Sequence, residues 1–436
     1  MIARLTSAAL VLSAIAASSA TAQQRAPDTL QLRALEAAAV HGDPRLRQLD
    51  LQRSRTDLRL RDLDAERLPS LSADGQAQYQ SDVIRLPVVL PGGQVVPTPP
   101  HDTYDAHLGA QERLIDPTVG PRRDVARAEL AQSQSQVRTS LYALRQQVEQ
   151  SFFDAVLLDA RASELETTIA DLEAQLQLSR ARVREGTALH GDAASIEAEL
   201  LRCQQDLAQL RSDRSAALAV LGDLTGRSIA TNDVLALPDL AEQVARVRAA
   251  TDSAWSRPEL EQFARTRDVL AAQEEALSAQ AKPRVSAFAR LGYGRPGLNF
   301  LSNRFDSYWL AGVQLQWAPW SWGTTERDRE ALELQRQIVE TEQSAFVRSL
   351  HRVTARDLAT IDHLEATLAT DERIIALRDT TAREARLRYD EGVITAAEYV
   401  DRQTDVLNAR LARATHRVQL AQARAHYLTT LGIELR

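Results

Sequence analysis

Cysteine and lysine are almost absent: Cys203 is the only thiol and Lys282 the only lysine in 436 residues. One thiol excludes an intramolecular disulfide, so stability must come from packing alone. A formal net charge of −7, with no clustered run of cations, excludes a nucleic-acid partner. After the N-terminal residues no apolar stretch reaches the ~20 residues of a transmembrane helix, which leaves strands as the only way into a bilayer. The eight histidines are scattered, and His351 and His363 stand twelve apart with no ligand-spaced neighbour. His-Glu-x-x-His, a phosphate-cradling glycine loop and a nucleophile elbow are all missing. No catalytic residue, metal site or cofactor is expected, and the chain does not read as an enzyme.

What is present is a pattern stated twice. Gly186 to Asp192 (Gly-Thr-Ala-Leu-His-Gly-Asp) and Gly392 to Glu398 (Gly-Val-Ile-Thr-Ala-Ala-Glu) lie 206 positions apart, each after a glutamate, and the same offset carries Gly226 onto Gly432. Asp43-Pro44 recurs as Arg257-Pro258 and Leu68-Pro69 as Lys282-Pro283. A tandem duplication follows. Between about 122 and 185, Val137, Leu141, Leu144 and Val148, then Leu165, Ile169, Leu172 and Leu176, recur at alternating threes and fours. That spacing predicts a coiled-coil-like helix about 96 Å long. Residues 324–391 repeat it with Leu350, Val353, Ile361, Leu364 and Leu368. Helical patterns return over 193–224 and 396–431, so each half holds a long hairpin that turns at its glycine. A further helix is expected over 28–66. Cys203 falls on the apolar spacing Ile196, Leu200, Cys203, Leu207 and reads as a core residue.

Between helices the period drops to two. Leu71, Ala73, Ala77 and Tyr79; Ala106, Leu108, Ala110 and Leu114; Val285, Ala287, Leu291 and Tyr293; and Trp309, Val313, Leu315 and Trp317 each alternate with polar or small residues. These predict strands over about 70–80, 104–115, 284–294 and 307–318. Pro69 and Pro283 precede the first strand of each half, and Pro117 and Pro319 follow the second. An apolar strand face can serve a soluble core or meet lipid. Four of the five tryptophans, Trp309, Trp317, Trp320 and Trp322, with Tyr293, sit at strand ends, as interfacial aromatics do, which favours outer-membrane lipid. Glu112 falls on the apolar side, which places it below the hydrocarbon or shifts the register there by one.

Four strands cannot close a barrel, and an open edge in lipid leaves backbone groups unpaired at several kcal/mol each. The chain must therefore associate with copies of itself; two give eight strands and a filled lumen, three give twelve and an aqueous channel.

This ordered set of helix, strand, strand, long helix, turn and helix, given twice, and the tip Arg388-Tyr389-Asp390-Glu391-Gly392-Val393-Ile394-Thr395, resemble the TolC family of outer-membrane efflux and secretion channels. The resemblance implies a fold that is mainly α with transmembrane β, in which two tandem repeats build a long coiled-coil α-barrel and a twelve-stranded trimeric β-barrel. It implies a homotrimer that meets a periplasmic adaptor and an inner-membrane pump, of resistance-nodulation-division or ABC type, and conducts passively. Residues 23–226 would form the first repeat with its helical hairpin over 122–224, 227–250 an equatorial linker, and 251–436 the second repeat with its hairpin over 324–431.

Carried over residue by residue, the family's periplasmic constriction corresponds to Tyr389, Glu398, Asp401 and Asp192, with Ile394 where the family has an arginine. Glu398 and Asp401 lie three apart on one helix face, so three copies would form a ring of carboxylates favouring cations. The same acids also suit the positive end of a helix. Glu185, Gly186 and Thr187, and Glu391, Gly392 and Val393, are the expected adaptor contacts. The N-terminal apolar run Ala8 to Ala17, followed by Ala20-Thr21-Ala22, predicts a signal peptide over 1–22 cleaved after Ala22, and so an outer-membrane location with a periplasmic extension. Two rivals remain: the duct of a type I protein secretion system, and a soluble periplasmic coiled-coil protein.

Overall fold

The computed structural model describes residues 28–84, 98–250, 255–299 and 302–435; the signal-peptide residues lie outside them. A short strand β1 (Thr29–Gln31) leads into helix α1 (Leu32–Gly42), a 3-10 turn (Pro44–Arg47) and α2 (Gln48–Ala65). Strands β2 (Ser70–Tyr79) and β3 (Asp102–Ile115) follow, then the long helix α3 (Val119–Arg184) and its return α4 (His190–Thr225). Beyond β4 (Val234–Ala236) and α5 (Ala241–Ala249) the design repeats as α6 (Pro258–Gln280), β5 (Arg284–Arg295), β6 (Asp306–Gln316), α7 (Thr324–Asp390) and α8 (Ala396–Leu431).

At 1.5 Å per residue the 66 residues of α3 and the 67 of α7 are each about 100 Å long. The first third of α3 packs on α2 and α6: Arg59 meets Glu129 at 3.4 Å and Arg138 meets Glu261 at 3.1 Å. Its later part packs on α4 and α8 through Arg211 to Glu166 at 2.8 Å and Arg413 to Glu164 at 3.5 Å. Shorter helices thus run end to end beside long ones.

Two cores hold the bundle. The larger lies at mid-length, where Leu35, Phe152, Phe153, Leu221, Ile361 and Leu428 are buried and Phe152 and Phe153 meet edge to face with centroids 5.4 Å apart. The smaller clamps the hairpin ends together through Leu172, Ile196, Cys203, Tyr389 and Tyr399. Cys203 is fully buried, and burial raises its thiol pKa, which makes it a packing residue and a poor nucleophile.

Three expectations change. Residues 28–66 are not one helix: the chain breaks at Asp43-Pro44, where Asp43 accepts from the Arg45 backbone N–H at 2.7 Å and proline starts the tighter turn. β1 pairs in parallel with β4, across some 200 residues of chain, and β4 and α5 occupy the stretch read as linker. In β3 a bulge between Arg113 and Ile115 displaces Leu114, so Ile115 faces Val285 in its stead. Glu112 lies before the bulge, opposite Ala287, near the helical end of the sheet, and stays on the apolar side.

Candidate functional site

β2, β3, β5 and β6 form one antiparallel sheet in that order, so β2 and β6 are its free edges. The register stacks like on like: Ala73, Leu108, Leu291 and Trp309 form one row, and Ala110, Ala289 and Ala311 another. Large side chains along this face stand open, with Leu71 83%, Leu108 63%, Leu291 62%, Val313 67% and Trp309 74% exposed. A soluble sheet would hide them.

The opposite face is polar and joined across strands. His107 Nδ1 lies 2.7 Å from Asp105 Oδ2, while Tyr308 reaches from β6 to donate its hydroxyl to Asp105 Oδ1 at 2.5 Å. Aromatics bracket the apolar face. Tyr104, Tyr293, Phe305 and Trp309 lie toward the end away from the helices, and Trp317, Trp320 and Trp322 toward the helices. From Trp309 to Trp317 is eight residues, about 27 Å of strand. That matches the ~25 Å apolar band of an outer-membrane barrel.

Where helix meets strand, Glu66 at the end of α2 accepts from Arg113 at 2.6 Å and from Arg122 at 2.6 and 3.1 Å. The Arg122 guanidinium, then Arg113, holds its carboxyl below the usual range. One carboxylate thus ties α2, β3 and α3 into a fixed elbow.

At the other end of the bundle Gly186 and Gly392 adopt φ of 75° and 72°, a left-handed turn that only glycine takes cheaply. Glu185, Gly186, Thr187, Glu391, Gly392 and Val393 are exposed on these tips. Tyr389 is buried inside the protomer, stacked on Tyr399 with centroids 5.3 Å apart, and its hydroxyl donates to Ser179 at 3.2 Å. Asp192 accepts from the Leu189 N–H at 3.2 Å, starting α4, and from the Ala396 N–H at 3.3 Å, bridging to α8. Glu398 closes a capping box with Thr395, whose N–H it accepts at 3.0 Å, while Asp401 is exposed one turn on. Ile394 packs against the apolar cluster of the tips.

Sequence reasoning missed the tie between Arg182 and Asp390, 3.0 Å apart, with the Arg182 guanidinium 5.8 Å from the Tyr389 ring centre. The two residues lie on different hairpins, 208 positions apart, and no spacing rule pairs such positions. The Glu66 elbow was missed for the same reason.

Residues 35–227 match the outer membrane efflux protein family. Over that stretch, just under half of its length, the chain is similar to that family. Among curated relatives of this chain is the alkaline protease secretion protein AprF of Pseudomonas aeruginosa, 22% identical over 346 residues, which span 76% of this chain and 68% of AprF. The fold is that of CusC, with a TM-score of 0.68 at 16% identity over 95% of this chain and 96% of CusC. VceC of Vibrio cholerae gives 0.66 at 16% identity over 93% and 97%. The open-state MtrE channel of Neisseria gonorrhoeae gives 0.64 at 19% identity over 93% and 89%. The chain therefore has the fold of these outer-membrane channels, built on tandem repeats.

Proposed function

We propose that three copies of this chain form an outer-membrane conduit that passively conducts cargo delivered by a periplasmic adaptor and an inner-membrane pump, with no chemistry of its own. The observation that carries this is the uncovered apolar sheet face ending in two free edges. In lipid the β6 edge of one copy must pair with the β2 edge of the next. Three copies supply twelve strands, enough for a water-filled lumen lined by the polar face. The test is extraction from the outer membrane as a heat-modifiable trimer that conducts in planar bilayers. A freely soluble monomer overturns the proposal.

The match to AprF supports a second reading, in which the pump is an ABC exporter of protein cargo. Co-purification of an ATP-driven exporter supports it, and co-purification of a proton-driven pump supports small-molecule efflux.

In this reading the exposed tips contact the adaptor, and Glu398 and Asp401 face the lumen. The double variant Glu398→Gln and Asp401→Asn isolates their charge, because glutamine keeps the capping box. Cation over anion preference in single-channel recordings is expected to fall severalfold as six carboxylates are removed. Unchanged preference refutes the ring.

A further inference from the structure

The polar face of the sheet carries two aromatic rings that do not stand upright. Phe288 on β5 is paired with Gly312 on β6, and Tyr308 on β6 with Gly292 on β5. A Cβ added at Gly312 would lie 2.9 Å from the Phe288 ring, and one added at Gly292 would lie 2.4 Å from the Tyr308 ring. Real side chains do not approach so closely, so each ring lies flat across the bare backbone of its partner. Gly292 is buried beneath Tyr308 although most of the surrounding sheet is open. Tyr308 spans β5 altogether: its hydroxyl is anchored on Asp105 of β3, and the same carboxylate is held by His107.

We infer that Gly292 and Gly312 set the bore of the barrel by giving Tyr308 and Phe288 a place to lie against the wall. The inference rests on the channel reading above, in which this face lines water. A twelve-stranded barrel with strands about 4.8 Å apart and tilted by roughly 40° has a backbone radius of about 12 Å. A side chain standing off a sheet fills about half of the ~10 Å between packed sheets, so an upright ring removes about 5 Å of that radius. The two rows lie four residues apart on β5, about 13 Å of strand, so three copies of each ring standing upright would put two successive aromatic constrictions into a wet, polar passage. Bulky cargo needs the rings down. Cross-strand contact between ring and glycine also stabilises the pair, as aromatic coverage of strand glycines does elsewhere.

The decisive measurement is polymer exclusion in planar bilayers, with polyethylene glycols of graded mass added on the barrel side. Gly312→Val and Gly292→Val should each lower the largest polymer admitted about two-fold in mass, because the displaced ring moves into the lumen. Phe288→Ala in the Gly312→Val background should restore the original cutoff, which a general folding defect would not allow. Phe288→Ala alone provides a reading that needs no valine variant to fold. The cutoff should stay put, and a wider cutoff would show that the ring already stands in the passage and overturn the inference. A wild-type protein that conducts nothing removes the channel reading itself. A conducting wild type whose cutoff ignores both valines removes only this inference.

Discussion

Replacing Glu149 by glutamine is expected to stabilise the protein, by an amount that grows as pH rises. Glu149 sits on α3 with 3% of its surface exposed, and its Oε2 finds no hydrogen-bond donor among the described residues. Burial pushes its carboxyl from 4.5 up to about 8; His426 of α8 lowers it, Glu36 of α1 raises it, the Thr429 side chain lowers it by a hydrogen bond, and Asp357 of α7 raises it. Glu36 itself is pushed up to about 7, chiefly by burial, against the pull of Arg145 and with a smaller push from Glu434. Below 4.5 both folded and unfolded chains hold the Glu149 proton, and the group contributes nothing to stability. Between 4.5 and about 8 only the folded chain holds it, so stability falls with every step upward in pH. By neutral pH the accumulated loss is about 3 kcal/mol per protomer, at 1.36 kcal/mol for each pH unit crossed. Glutamine has the same shape and no proton to lose. Thermal midpoints of the detergent-solubilised protein, followed by circular dichroism, should separate between variant and wild type from about pH 5 to about pH 8. A gap that does not change with pH would show that Glu149 is ionised in the native protein.

The other large effect is expected at the seam between protomers. Nearest the strands the helices run in the order α2, α3, α6 and α7, so α2 and α7 form the two flanks of a protomer. Both flanks are greasy: Leu51 and Leu58 on α2 are 56% and 59% exposed, and Leu334 and Ile338 on α7 are 54% and 50% exposed. Their spacings of seven and four keep each pair on one helix face. In the trimer proposed above, α7 of one copy meets α2 of the next. Changing Leu334 and Ile338 together to aspartate would place two unpaired charges in each of three seams, each costing several kcal/mol to desolvate. Heat-modifiable trimer in the outer membrane should fall at least about ten-fold, since 1.4 kcal/mol already changes an equilibrium ten-fold. Leu334→Met with Ile338→Leu, which keeps the volume apolar, should leave it intact. Trimers that survive the aspartates would show that these residues face something other than a neighbouring copy.

The long elements were legible because their signals are repeated many times over. A run such as Val137, Leu141, Leu144 and Val148 leaves little choice of period, and all four of these residues are buried. Strand limits followed from proline: β2 begins immediately after Pro69 and β5 immediately after Pro283. The three-residue strands β1 and β4 are too short to display an alternation, and their pairing joins residues some 200 apart. Pro44 breaks the helix expected over 28–66, because a proline inside a helix removes a hydrogen bond and clashes with the preceding turn. At the tips, sequence located the turn glycines but not the environment of Tyr389. Its burial comes from Tyr399 on the following helix and Ser179 on the other hairpin. The arginine bridges are still less visible from sequence, since all but one of the 52 cationic side chains are arginine and composition cannot say which of them reach a carboxylate.

The helices that return from both tips end alike, at Gly226 with φ 63° and Gly432 with φ 82°, as the tips themselves do at Gly186 and Gly392. Side-chain packing around these points has drifted far: the surroundings of Gly226 are open, whereas a Cβ on Gly432 would strike the backbone of Ser256 at 2.5 Å. The ancestral unit thus survives as punctuation after most of its wording has been rewritten. A lineage that copies a hinge cannot easily edit it, because a misplaced bend swings an arm of about 50 Å, the length of each 36-residue return, while a changed leucine disturbs only its neighbours.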